Sequence, residues 1–198
     1  MKHFQTTALA PSTLFVLAAG CKNKPATIHA AIGVPVESFG ALPCKFVSAD
    51  PAAAVTSEPI KKHLVGGNPD NIDTSSVRLT ASAAATAKVD CAGDEYPVEF
   101  AAIENIKIES PNSTKVGDDA KYRLRAYSKA GKELDIGNMP WDAVTWKTTG
   151  PLGPPTPDTH PIFPGGGPHT DVKLTGAGKV TVTATYAGMT ATRSDEIK

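Results

Sequence analysis

Two stretches of the chain alternate apolar and polar residues without a break. In Ala120-Lys121-Tyr122-Arg123-Leu124-Arg125-Ala126 the intervening residues are basic, and in Val180-Thr181-Val182-Thr183-Ala184-Thr185-Tyr186 they are threonines. A period of two sends successive side chains to opposite faces of an extended chain, so each stretch predicts a strand with one buried and one wetted face. Ile106 with Ile108, Val144 with Trp146, and Val172 with Leu174 predict three shorter strands of the same kind. Turn residues separate them at Pro111-Asn112, Gly117-Asp118, Gly131, Gly137-Asn138, Gly176 and Gly188. Short strands punctuated in this way, with no helical period between them, predict an antiparallel β-sandwich.

The pattern also repeats. Residues 77–93 align without a gap on residues 172–188, with six identities in seventeen positions (Val, Leu, Thr, Thr, Ala, Gly), and Arg78 falls on Lys173. Chance would supply about one identity at ordinary residue frequencies. The constant offset of 95 residues is the size of a small domain. The chain is therefore expected to hold two copies of one module, spanning residues 26–101 and 102–198, with the seam near Ala101-Ala102.

The second copy resembles the bacterial immunoglobulin-like domains of adhesin stalks and surface lipoproteins. The residues that carry the resemblance are Ile106-Lys107-Ile108, Lys115-Val116-Gly117-Asp118 leading into Tyr122-Arg123-Leu124, Val144-Thr145-Trp146-Lys147, and Val180 to Ala184. It implies an all-β fold of two tandem immunoglobulin-like antiparallel sandwiches. Where that family has a compact turn and a short strand after the tryptophan, this chain inserts residues 150–168, with seven prolines and Gly165-Gly166-Gly167. Proline has no amide hydrogen to give to a ladder, so this loop is expected to stay out of the sheet and lie on the surface. Ile162 and Phe163 at its centre are a candidate contact tip for a partner, against the plainer reading of a tolerated insertion.

Lys plus Arg equals Asp plus Glu at twenty each, and residues 1–102 hold 8 basic and 9 acidic side chains, so no field steers the chain toward nucleic acid. The amino-terminal residues add a second resemblance. A basic start at Lys2, an apolar run from Leu14 to Ala19, and Leu17-Ala18-Ala19-Gly20-Cys21 resemble a bacterial lipoprotein signal and its cleavage site. This implies a signal peptide at 1–20, lipidation of Cys21, a polar tether at 21–25, and attachment to a membrane through the lipid. Lys22 follows the cysteine instead of the Asp that marks inner-membrane retention in enterobacteria, which implies the outer membrane or the cell surface. The apolar run is far short of the roughly 20 residues that span a bilayer.

If Cys21 carries lipid, two of the three cysteines remain, Cys44 and Cys91, in a compartment that lets them pair. Cys91 aligns with Tyr186 on an inward-facing position, and placing Lys45 in water turns Leu42, Cys44 and Phe46 inward. Both thiols should then face one core, and the immunoglobulin resemblance implies that they do so from non-adjacent strands, as an inter-sheet disulfide.

Candidates for chemistry are weak. Asp158, His160, His169 and Asp171 lie within fourteen residues but lack zinc-ligand spacing, and read as solvated loop residues. Asn68-Pro69-Asp70-Asn71-Ile72-Asp73 is rich in oxygen but lacks the glycine and terminal carboxylate of a calcium loop. No nucleophile elbow occurs, and His29 and His63 have no acidic partner at a telling spacing. No metal, cofactor or catalytic residue is expected. The expectation is an exported, lipid-anchored, non-enzymatic module for binding, adhesion or envelope structure, with a protein or surface polysaccharide as partner. The alternative is a structural or decoration subunit of a larger assembly such as a virion, in which the cysteine motif is coincidental.

Overall fold

The computed structural model describes residues 25–37, 43–64, 72–157 and 167–198. Cys21, Leu42, Ile162 and Phe163 lie outside them, as do the expected signal peptide and most of the tether. Apart from two single 310 turns, Ala52–Ala54 and Trp141–Ala143, the regular structure of the described residues is strand. No helix among them is long and apolar enough to cross a membrane.

The alternating stretches become the centre of a strand set formed by the second half of the chain. It comprises β7 (Asn105–Ile108), β8 (Asp119–Tyr127), β9 (Glu133–Leu134), β10 (Thr145–Thr149), β11 (Thr156–Pro157), β12 (His169–Lys173), β13 (Gly178–Tyr186) and β14 (Met189–Ile197), following β1 to β6 of the first half. One sheet runs β11-β12-β8-β7, with β9 also paired to β8, and the other runs β10-β13-β14. In immunoglobulin lettering these are D-E-B-A and C-F-G, the constant-type arrangement. The apolar members of each alternation meet between the sheets. Ala120, Tyr122, Leu124 and Ala126 from β8 and Val182 and Ala184 from β13 are all fully buried, with Trp146 and Leu174 beside them. Each large side chain buried there contributes about 1.5–3 kcal/mol.

The first set holds β1 (Ile28–Ala31), β2 (Cys44–Asp50), β3 (Val55–Leu64), β4 (Ile72–Ala81), β5 (Ala85–Cys91) and β6 (Asp94–Ala101). Its sheets are β1-β6-β5-β2 and β3-β4, and Val36 adds a bridge to Leu79 at the edge of β4. All pairings are antiparallel except that of β1, which runs parallel to β6 from Ile28 opposite Val98 to Ala31 opposite Ala101. The buried cluster of this half, the first cluster, includes Leu79, Val89, Val98 and Phe100 and fills the space between these sheets, while the second cluster is that of the second half.

The internal repeat is a repeat of backbone as well as of sequence. The offset of 95 carries Val77 of β4 onto Val172 of β12, and Leu79 of β4 onto Leu174 just past the end of β12, positions that are buried in both halves. It also carries the β5–β6 turn onto the β13–β14 turn. Ala92 and Gly93 have φ of 54° and 94°, and Ala187 and Gly188 have 46° and 81°. Two positive φ values in a two-residue hairpin loop define the mirror-image turn that matches strand twist, in which Asn-Gly is the preferred pair. Alanine at the first of these positions strains the backbone, because its Cβ crowds the carbonyl. Ala187→Asn is expected to raise stability by roughly 0.5–1 kcal/mol, read as a higher urea midpoint at unchanged slope.

Two expectations need correction. The Cys44–Cys91 disulfide forms, and both residues belong to the first cluster, but their strands are neighbours. Cys44 stands directly opposite Cys91 in the β2–β5 ladder, so the bond lies within one sheet instead of joining two. Facing the core settles which side of a strand a residue occupies. It leaves open whether the partner comes from beside or from across.

The proline-rich segment also enters the sheet. Leu152 bridges to Leu174, the Gly153 amide donates to the Lys173 carbonyl at 2.8 Å, and Thr156 and Pro157 pair with Asp171 and Thr170. An edge strand needs amide hydrogens on one side only, so a proline whose nitrogen side is unpaired is tolerated there. The segment departs from β10 at Gly150, whose φ is 100° and where a Cβ would stand 2.5 Å from the Lys179 carbonyl oxygen. That close approach to β13 requires glycine.

Candidate functional site

The charged groups that the fold gathers most closely lie at the seam between the two strand sets, around β1. His29 on β1 sends its side chain toward β6, where Nδ1 lies 3.0 Å from Glu99 Oε2. The same oxygen accepts from Lys132 Nζ at 3.1 Å, and Lys132 belongs to the β8–β9 turn of the second set. The Lys132 ammonium holds the Glu99 carboxyl below the usual carboxylate range. These side chains are a quarter to a half exposed, so the ion pairs add little stability. They line an open cleft of about 300 Å³, together with Ala101, Glu104, Lys129 and Leu134.

Hydrogen bonds to the backbone also cross the seam. The Asp135 amide donates to the His29 carbonyl at 2.6 Å and the Ala31 amide donates to the Asp135 carbonyl at 3.4 Å, while Asn138 Nδ2 donates to the Pro35 carbonyl at 3.1 Å. Ala31 and Val34, at 0% and 2% exposure, are buried in the second cluster, whereas Ala30 belongs to the first. The β1 segment thus contributes to both cores, across the boundary expected at Ala101-Ala102. The sequence carried no sign of this, because Ile-His-Ala-Ala has no alternation and His29 lies seventy residues from Glu99.

The cleft also holds a hydroxyl. Ser128 lines it, but its hydroxyl accepts from the Lys132 amide at 3.2 Å, and among the described residues it has no bond to His29. The most perturbed acid in the second set is elsewhere. Tyr122 lies between the sheets with its phenol pushed up to about 12, chiefly by burial and secondarily by the charge of Asp195. Asp195 is itself held by Arg193 through Nε at 3.1 and 3.0 Å and Nη2 at 2.8 Å. The Tyr122 hydroxyl meets no hydrogen-bond partner among the described residues.

Because folding raises this pKa, the associated stability is complete below pH 10 and falls away as the pH rises from about 10 to about 12. Tyr122→Phe should therefore lose less stability over that interval than the wild type, by roughly 2–3 kcal/mol. Denaturant midpoints measured at several alkaline pH values would check this.

The remaining candidates are dispersed. His169 and Asp171 sit on β12 and not in a solvated loop; His169 is 8% exposed, its Nε2 is 3.2 Å from Lys121 Nζ, and its Nδ1 is 3.3 Å from the Gly167 carbonyl oxygen. Asp158 and His160 lie outside the described residues, as do Asn68 to Asn71, while Asp73 falls within β4. Among the described residues no three His, Cys, Asp or Glu side chains converge as a metal site would need.

No family model matches this chain, and no curated protein matches it. Solved structures similar to it include domains 5–6 of the S-layer protein SbsC, at 15% identity over 86% of this chain and 92% of that one, with a TM-score of 0.38. Invasin, a bacterial integrin-binding protein, is 12% identical over 73% of this chain with a TM-score of 0.37, and the chain spans only 32% of its length. A Parabacteroides merdae β-glucuronidase is 13% identical over 72% of this chain and 21% of its own, with a TM-score of 0.33. An enzyme thus stands beside an S-layer protein and an integrin-binding protein, and at such scores none of these likenesses bears on activity. The immunoglobulin-like character of the second strand set rests on its own strand order.

Proposed function

We propose that the chain is an exported protein held to a membrane through a lipidated Cys21, and that it serves as a non-enzymatic module for binding, adhesion or envelope structure. In this reading it is built from two tandem immunoglobulin-like units. The observation that carries export is the buried Cys44–Cys91 disulfide, which persists in oxidising compartments and is kept reduced in most cytosols. The lipoprotein-like residues 17–21 supply the means of attachment. The non-enzymatic reading is supported by the seam cleft, whose histidine, carboxylate and lysine bind one another, and by the one strongly perturbed phenol lying inside a core. A sandwich of this kind offers a partner its end loops or its strand edges, and the loop containing Ile162 and Phe163 is the proposed contact.

Mass spectrometry of the chain recovered from its own cells tests the reading. An acylated Cys21 at the amino terminus is expected. An intact Met1 would overturn it in favour of a structural subunit of a larger assembly.

A further inference from the structure

We propose that the chain carries tension along its length, and that the Cys44–Cys91 bond limits how far the first strand set can extend when it yields. The inference rests on the anchored reading above, since a chain held at Cys21 and engaged through its second strand set is pulled across the first, between Ile28 and Ala101.

The argument begins with β1 and β6. They run parallel, one leading into the first strand set and the other out of it, with four residue pairs from Ile28–Val98 to Ala31–Ala101. Opposed forces on Ile28 and Ala101 would slide β1 along β6, so the ladder bonds share the load instead of opening one after another. The Ile32 amide adds a bond of 3.0 Å to the Ala101 carbonyl at the end of that ladder. The second strand set ends in a parallel contact of the same kind. The Lys198 amide donates to the Thr114 carbonyl at 2.9 Å, and the Val116 amide donates to the Lys198 carbonyl at 3.1 Å. At the seam β1 is also gripped by Asp135 and by the burial of Ala31 and Val34 in the second cluster. Withdrawing β1 therefore breaks contacts to both strand sets at once.

The disulfide sets the length released. From Ile28 to Ala101 is 73 residues, of which the bond bypasses 47, leaving 26 free to extend. At 3.3–3.6 Å per residue the free part is about 90 Å, and the bypassed part about 160 Å. A tethered module that yields under load would thus lengthen by about a third of what its chain length allows, and would refold from a short excursion.

The full chain, tethered at both ends in series with a DNA hairpin and stretched in a single-molecule instrument, tests this. Forced unfolding reports the unfolding rate under load. The hairpin is expected to open first, followed by a step of 26 residues for the first strand set and a longer one for the second. With thiol reductant, the step of the first set should grow by 47 residues. Extension of either strand set before the hairpin opens would overturn the load-bearing proposal, as would a first-set step that reductant leaves unchanged. Because the tethers replace the membrane, these outcomes do not depend on whether Cys21 is acylated.

Discussion

Replacing both Cys44 and Cys91 by alanine is expected to cost about 4 kcal/mol of stability, from the entropy returned to an unfolded chain whose 47-residue loop is no longer closed. The folded state should change little. The two residues stand opposite each other in a ladder that continues through Lys45–Asp90 and Phe46–Val89, so β2 and β5 remain paired by their backbones. The loss should therefore appear in denaturant melts as a lower midpoint, with the far-ultraviolet spectrum of the folded protein unchanged. Reductant should reproduce the loss in the wild type and have no further effect on the double variant. A midpoint that does not move would mean that the unfolded chain is already compact across residues 44–91.

Leu79→Ala and Leu174→Ala form a matched pair, since the internal repeat places one leucine in each cluster and both are fully buried. Each is expected to cost 2–5 kcal/mol, the range for deleting a buried leucine side chain. The pair is more informative together than apart. Both tryptophans, Trp141 and Trp146, lie in the second half of the chain, so tryptophan fluorescence reports on the second strand set alone. Leu174→Ala must shift that signal. Leu79→Ala should shift it too, because unfolding the first set withdraws Ala31 and Val34 from the second cluster and removes the amide bonds between β1 and Asp135. A fluorescence transition that ignores Leu79→Ala would show that the two cores melt independently.

What could be read from the sequence followed from burial on one side. The alternation in β8 and β13 and the inward pairs in and beside β7, β10 and β12 name residues that the core holds. The 95-residue offset located β4 and β5 through their likeness to β12 and β13. Strands whose side chains stay largely in water left no such mark. Thr56, Ser57, Glu58, Pro59 and Lys61 of β3 are exposed, so no pattern constrains them, and the strand is held chiefly by its ladder to β4. The β11 edge was hidden because its proline counts against a strand only where both sides are paired. The seam was hidden for a different reason. His29, Glu99 and Lys132 meet through tertiary structure alone, and small residues such as Ala30 and Ala31 fit either core equally well.

Over three successive pairs the outward side of β13 and β14 is joined by hydroxyls. Thr181 meets Ser194 at 2.9 Å, Thr183 meets Thr192 at 3.3 Å, and Thr185 meets Thr190 at 3.5 Å. Neutral donors and acceptors of this kind do not titrate and attract no counter-ions. Those three pairs would keep their cohesion from fresh water to strong salt, whereas the Lys179 and Glu196 side chains at the end of the same row would not be indifferent to it.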